Sequence, residues 1–274
     1  MQFIVTHLTR MSEGICTAGP EPTSGAIIRP VARKGSLPGS LLGRFGGPLK
    51  AGALVDIGIG LPRPEPPHSE DVETDPAKWR AVQQVSEERF RKHLLGRAAP
   101  GPYAAFGKFI REVEQGKHAV APGEGDYSLA YVSLERGPEL TVTDRGRLSL
   151  QFVAEGRHFR LSITDARLYK DDLATPDPTA VGRLQRLLWG GQGTVIGVGI
   201  GRAWGPPGEP EMHWLQANNV YPIEKPFWDA ERVGSGIKYM IPGVPLSLRR
   251  PDADPGPGPG GSGVKVPKGR WNEG

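Results

Sequence analysis

Two glycine-alternating segments, Asp56-Ile-Gly-Ile-Gly60 and Gly197-Val-Gly-Ile-Gly201, most constrain what this 274-residue chain can fold into. As strands, each turns its branched side chains to one face and leaves the other face bare. A glycine inside a strand marks a bend or bulge, or a place where another backbone or a ligand comes close. Each segment runs into a proline-rich loop, 61–67 before His68 and 202–207 before His213. The echo reads as one small β unit used twice, with barrel curvature setting the glycines.

The rest of the pattern fits that reading. Residues 2–8 read as a first strand, 14–18 and 25–31 as a hairpin around a turn-rich stretch, and 53–61 as the next strand. Asp75 before Pro76 predicts a helix start, and Trp79, Val82, Val85, Phe90 and Leu94 recur at helical spacing, so a helix is expected over 76–95. A weaker helix is expected over 103–115, interrupted by Gly107. Strands return at 129–134, 140–142, 148–153 and 158–163, followed by a helix at 177–188 and closing strands at 194–201 and 212–217. Asp144, Asp165 and Asn218-Asn219 read as turn residues.

Charge and cysteine content narrow the function. A formal charge of +4 permits an anionic partner without naming it. The single cysteine, Cys16, excludes an internal disulfide framework and a multi-thiolate zinc site, which favours a reducing, cytoplasmic compartment. No stretch approaches the roughly 20 consecutive apolar residues that span a bilayer, and the N-terminus shows no leader pattern, so no membrane partner is expected.

Specific chemistry is sparse. The six histidines are scattered, and only His68 with Glu70 and Asp71 offers a divalent-cation set, which reads equally as acidic residues before a helix. Cys16 reads as a core hydrophobe, and no nucleophile elbow, phosphate loop or dinucleotide fingerprint is present. No catalytic residue and no cofactor is assigned. Nucleic-acid binding needs only cations that track phosphates and rings that stack bases. Arg44-Phe45, Arg202 with Trp204, and His213 supply both, while Trp214 reads as core.

Gly14-Ile-Cys-Thr-Ala-Gly19, Ile27-Ile-Arg-Pro-Val31, His68-Ser-Glu-Asp71 with Trp79, Leu161-Ser-Ile-Thr-Asp165 and His213-Trp-Leu-Gln216 occur in that order. Together they resemble the bacterial dual OB-containing domain family over roughly residues 1–225. The resemblance implies two oligonucleotide/oligosaccharide-binding barrels and a role in nucleic-acid recognition, often in bacterial conflict. It also makes Arg29 a candidate contact, whose alternative role is an internal pair with Asp56 or Asp71.

The expected fold is therefore mostly β. Two OB-like, partly open barrels over 1–72 and 124–225 are joined by a helical connector over 73–123 and followed by an arm and a disordered Pro/Gly-rich tail over 226–274. The expected function is a non-catalytic module that binds single-stranded or modified DNA or RNA through Arg29, Arg44, Phe45, Arg202, Trp204 and His213, the second barrel being the better binder. The alternatives are a protein-interaction adaptor in a defence complex and a metal-dependent nucleic-acid-processing enzyme using His68, Glu70 and Asp71.

Overall fold

Residues 2–8 do not form one strand: the chain crosses from one sheet to another at Val5 and Thr6 in the computed structural model, which describes residues 1–143 and 145–229. Asp144 and the expected tail beyond 229 lie outside the described residues. Gln2–Ile4 is β1 and His7–Arg10 is β2. Ile15–Pro20 (β3) and Ile27–Ala32 (β4) form the expected hairpin, and Ala53–Asp56 (β5) returns to pair with β1. Leu61–Pro62 (β6) and Asp71–Thr74 (β7) extend a five-stranded sheet in the order β2-β3-β4-β7-β6. Arg80–Gln84 (β8) completes a three-stranded sheet, β1-β5-β8.

Strand alternation then divides the side chains between two cores. Phe3 and Val55 join Leu8, Ile15, Leu49, Ile57 and Trp79 in the core of the N-terminal unit. Ile4 and Leu54 point the opposite way, toward the rest of the chain.

The helix expected over 76–95 is shorter than its apolar spacing implied. Asp75 does accept a hydrogen bond from the Ala77 N–H, but it caps only a single 3₁₀ turn, Pro76–Lys78. The helix proper, Glu87–Leu95 (α1), starts where the Ser86 hydroxyl accepts from the Arg89 N–H. Between them β8 pairs with β5, which satisfies its backbone groups and leaves Val82 exposed. The expected helical connector is thus a mixed segment. It also holds Ala98–Ala99 (β9), Pro102–Phe106 (α2), Arg111–Glu114 (β10) and Lys117–Val120 (β11). Gly107, at φ +66°, ends α2, and the expected second helix becomes a strand beyond it.

The strands expected from residue 129 onward are present: Leu129–Leu134 (β12), Glu139–Val142 (β13), Leu148–Ala154 (β14) and Arg157–Ile163 (β15). Pro178–Gly190 (α3) follows, its first turn capped by Asp177, then Thr194–Ile200 (β16) and His213–Pro222 (β17). They form a nine-stranded sheet, β13-β14-β15-β17-β16-β12-β9, with β11 paired to β17 and β10 to β11. Its core gathers Leu150, Phe159, Leu184, Ile196, Val198 and Val220. β17 runs straight through Asn218-Asn219, which form no turn. Trp228, past the point where the apolar pattern was expected to thin, is buried in the same core.

A third apolar cluster binds the two β units together. Phe90 and Leu94 of α1 pack with Ile4, Leu54, Tyr131, Val195 and Tyr221. Polar contacts run along the same seam: Thr6 and Tyr131 share a 2.6 Å hydroxyl contact, and the Tyr221 hydroxyl donates to the Thr6 carbonyl. Among the described residues no helix is long and apolar enough to cross a membrane.

Candidate nucleic-acid interface

The two glycine segments occupy different structures. β5 stops at Asp56, whose carboxylate accepts from the Gly58 N–H, and Gly58 turns the chain at φ +71° so that Ile59 stands exposed. The second segment lies on β16, which is buried along its whole length. Its Ile196, Val198 and Ile200 enter the C-terminal core. On the opposite face, Gly197 lies under the His7 ring, Gly199 under the Asn218 amide and Gly201 beside the Gln216 amide. The β16–β17 register also slips here, Gly197 facing Asn219 and Val198 facing Ala217, so Asn218 is the extra residue of a bulge on β17. The larger reason for glycine is the close approach of these polar side chains: a Cβ on Gly199 would stand 2.1 Å from Asn218 Nδ2.

Next to that face sits a carboxylate shared by two arginines. Parallel pairing of β4 with β7 sets Arg29 opposite Asp71. Arg29 Nε donates to Asp71 Oδ1 at 2.5 Å, and Arg202 Nη2, from the β16–β17 loop, donates to Asp71 Oδ2 at 2.5 Å. Arg29 Nη1 donates to the Ser128 hydroxyl, and Ser128 in turn donates through its N–H and hydroxyl to Glu70. Arg29 is 6% exposed, and its Nη2 has no hydrogen-bond partner among the described residues. Burial leaves such a donor unpaid unless a ligand or water meets it.

Above these groups a cavity of about 570 Å³ opens between β2, β3 and β4 on one side and β16 and β17 on the other. Arg29 and Arg202 belong to its wall, as do the amides of Gln216 and Asn218, and among the described residues no aspartate or glutamate does. Arg10 borders it from the end of β2, but its guanidinium lies over the Tyr169 ring and donates to the Leu173 carbonyl. The volume falls in the range of small-ligand sites. Cys16, expected in the core, is half-buried and lines the cavity, because β3 turns Ile15 and Thr17 inward and Cys16 outward.

The candidate residues read from the sequence are only partly brought together. Arg29 and Arg202 meet at Asp71, and Trp204, two residues on, is 62% exposed. His213 is buried, sharing its Nδ1 with the Gly201 carbonyl, while Trp214 is only half-buried, the reverse of the expected core placement. Arg44 lies elsewhere. It donates to the carbonyls of Ala166, Tyr169 and Lys170 and sits over the Phe45 ring, holding the 166–171 segment rather than facing the cavity. Gln216 was not singled out as a contact and Asn218 was read as a turn residue; they line the cavity only because β2 and β17 are set across the seam.

The three proposed metal ligands are engaged otherwise. Glu70 accepts from Ser128 and Asp71 from the two arginines, and no group of three His, Cys, Asp or Glu among the described residues could hold a metal ion. His68 packs edge-on against His213. Its burial, with the Arg29 and Arg202 charges nearby, pushes its pKa down to about 2, so the ring is neutral. His7 is held down to about 4, chiefly by burial.

The architecture is mostly β, in two units with a cavity bordered by Arg29 and Arg202 at their seam. The chain belongs to the dual OB-containing domain family, which matches residues 1–220. No curated protein matches its sequence. Among solved structures it is similar to a murine DNA-binding protein bound to double-stranded DNA, with 9% identity and a TM-score of 0.31, covering 81% of this chain and 95% of that one. It is also similar to the Ifi202 HINa domain in complex with 20-bp double-stranded DNA, at 9% identity and a TM-score of 0.32, covering 81% and 93%. Likeness at these values carries no functional argument.

Proposed function

We propose that this protein is a non-catalytic module that binds single-stranded nucleic acid at the mouth of the seam cavity. The observation that carries the reading is a wall with Arg29 and Arg202 and, among the described residues, no carboxylate, with an exposed tryptophan two residues beyond Arg202. Guanidinium groups suit phosphate oxygens through paired N–H donors, and an exposed indole offers a base a stacking surface. Family membership agrees with it, since OB barrels bind oligonucleotides across a sheet face and its loops. In this reading Arg29 comes from the barrel at about 1–72, and Arg202, Trp204 and Asn218 from the barrel at about 124–225. Both barrels then contribute to one site. His213 supports Gly201 beneath it, and Arg44 with Phe45 plays no direct part.

Fluorescence anisotropy with short hydroxyl-ended single strands tests the proposal. Binding is expected at low salt, weakening as salt rises because counterions are released. Unchanged anisotropy at low salt would sink it.

A further inference from the structure

We infer that the seam cavity is a pocket for a phosphate-bearing nucleotide, taken either as the phosphorylated end of a strand or as a free mononucleotide. The inference deepens the nucleic-acid reading and rests on it for the class of ligand.

The chemistry of the wall selects the phosphate. Arg29 and Arg202 contribute guanidinium groups and, among the described residues, no carboxylate lines the wall; the adjoining carboxylates, Asp71 and Glu70, are already engaged by Arg29, Arg202 and Ser128. Arg29 is fixed from beneath by Asp71 and Ser128, so it is held in place without a ligand while Nη2 has no partner among the described residues. A fixed, buried guanidinium with a spare N–H is suited to an anion that accepts several hydrogen bonds. A terminal phosphate accepts more of them, with more charge, than an internal diester.

Wall composition also says what stays out. No aromatic side chain lines the cavity among the described residues, so it offers no stacking surface for a base. Hydroxyls of Thr9 and Thr164 and the amides of Gln216 and Asn218 instead suit phosphate and sugar oxygens. The base is left outside the cavity, and Trp204, two residues beyond Arg202, is exposed.

Cys16 supplies the test, because the only thiol in the chain lines the cavity. The rate at which iodoacetamide alkylates Cys16 in the full chain is measured at mildly alkaline pH, since burial pushes the thiol pKa up. The probes are thymidine monophosphate, an oligothymidylate phosphorylated at either end, the same strand with hydroxyl ends, and an oligoglutamate peptide. The phosphorylated probes are expected to slow alkylation about tenfold, the worth of one strong charge-assisted contact. Arg202→Gln, which leaves the Arg29–Asp71 pair intact, is expected to remove most of that protection.

Protection by thymidine monophosphate identifies free nucleotide as a sufficient ligand, and protection by the phosphorylated strand alone identifies strand ends. Equal protection by hydroxyl-ended strand or by oligoglutamate, or none by any probe, overturns the pocket. If the hydroxyl-ended strand binds by anisotropy without any phosphorylated probe shielding Cys16, the pocket fails and strand binding stands. Shielding by thymidine monophosphate with no strand affinity does the reverse.

Discussion

The side-chain amide of Asn219 is paired with both backbone groups of Leu8, accepting from its N–H at 2.7 Å and donating to its carbonyl at 3.4 Å. The contact fastens β2 to β17, and with them the two walls of the cavity. Asn219 and Leu8 are both buried. Asn219→Ala strands two buried backbone groups at about 1–3 kcal/mol each, so a loss of roughly 2–6 kcal/mol is expected. Urea denaturation measures it, and a change below about 0.5 kcal/mol would mean that the seam is held elsewhere.

Asp165 and Arg167 form a second buried lock. Arg167 Nε and Nη2 donate to the two Asp165 oxygens at 2.9 and 2.7 Å, with Arg167 between the Tyr221 and Trp228 rings, and the Val220 N–H donates to Asp165. Replacing Arg167 by methionine leaves a buried carboxylate without its main counter-charge, an expected cost of about 3–5 kcal/mol. Asp165→Asn in the same chain should recover part of the loss. Thermal melts of the single and double variants check this; a double variant less stable than Arg167→Met alone would contradict it.

Gly199 links packing to binding. The methyl of Gly199→Ala would collide with the end of Asn218, a movable side chain, so the fold should survive with a loss of about 1 kcal/mol. The displaced amide is expected to intrude on the cavity and weaken strand affinity severalfold. Melting temperature and anisotropy measured in parallel separate the effects. Full affinity with lowered stability would remove Asn218 from the interface.

Acid should destabilise the protein through its buried imidazoles. His7 and His68 are held neutral down to about 4 and about 2, whereas unfolded imidazoles take up protons near 6.5. The unfolded chain therefore binds the extra protons as pH falls. Stability is fully present above about 6.5 and lost below it, each ring contributing a slope of up to about 1.4 kcal/mol per pH unit. The His7 contribution stops growing near its folded value of about 4, and that of His68 continues lower. Denaturation midpoints at pH 7 and pH 5 should differ, and His68→Phe should reduce the difference. Equal midpoints would contradict the neutral buried rings.

Much of this architecture was legible where local chemistry decides it. The Asp177 cap, the hairpin at β3–β4 and strands β12 to β16 follow from residues within a few positions of one another. The Arg29–Asp71 pair was one of two pairings that the charges allowed. Failures came where distant pairing overrides local preference. Apolar spacing in 76–95 suited a helix, but β5 offered Arg80–Gln84 a sheet edge. Alternation in His213-Trp214 could say that one ring faces in, but not which, and the buried one is His213. Gln216 entered only as the end of the His213-Trp-Leu-Gln216 pattern and Asn218 as a turn residue, and the cavity they line exists only once β2 reaches β17.

The central claim, that the arginine-walled cavity is where nucleic acid binds, is tested most directly by the salt dependence of single-strand affinity for the wild-type chain and for Arg202→Gln. Arg202 is half-exposed, and Asp71 keeps Arg29 when it is lost, so the fold should be unaffected. The account predicts affinity weakened about tenfold and a log–log salt slope shallower by about 0.7, the share of one phosphate contact on a single strand. An Arg202→Gln chain that binds with wild-type affinity and slope would contradict it.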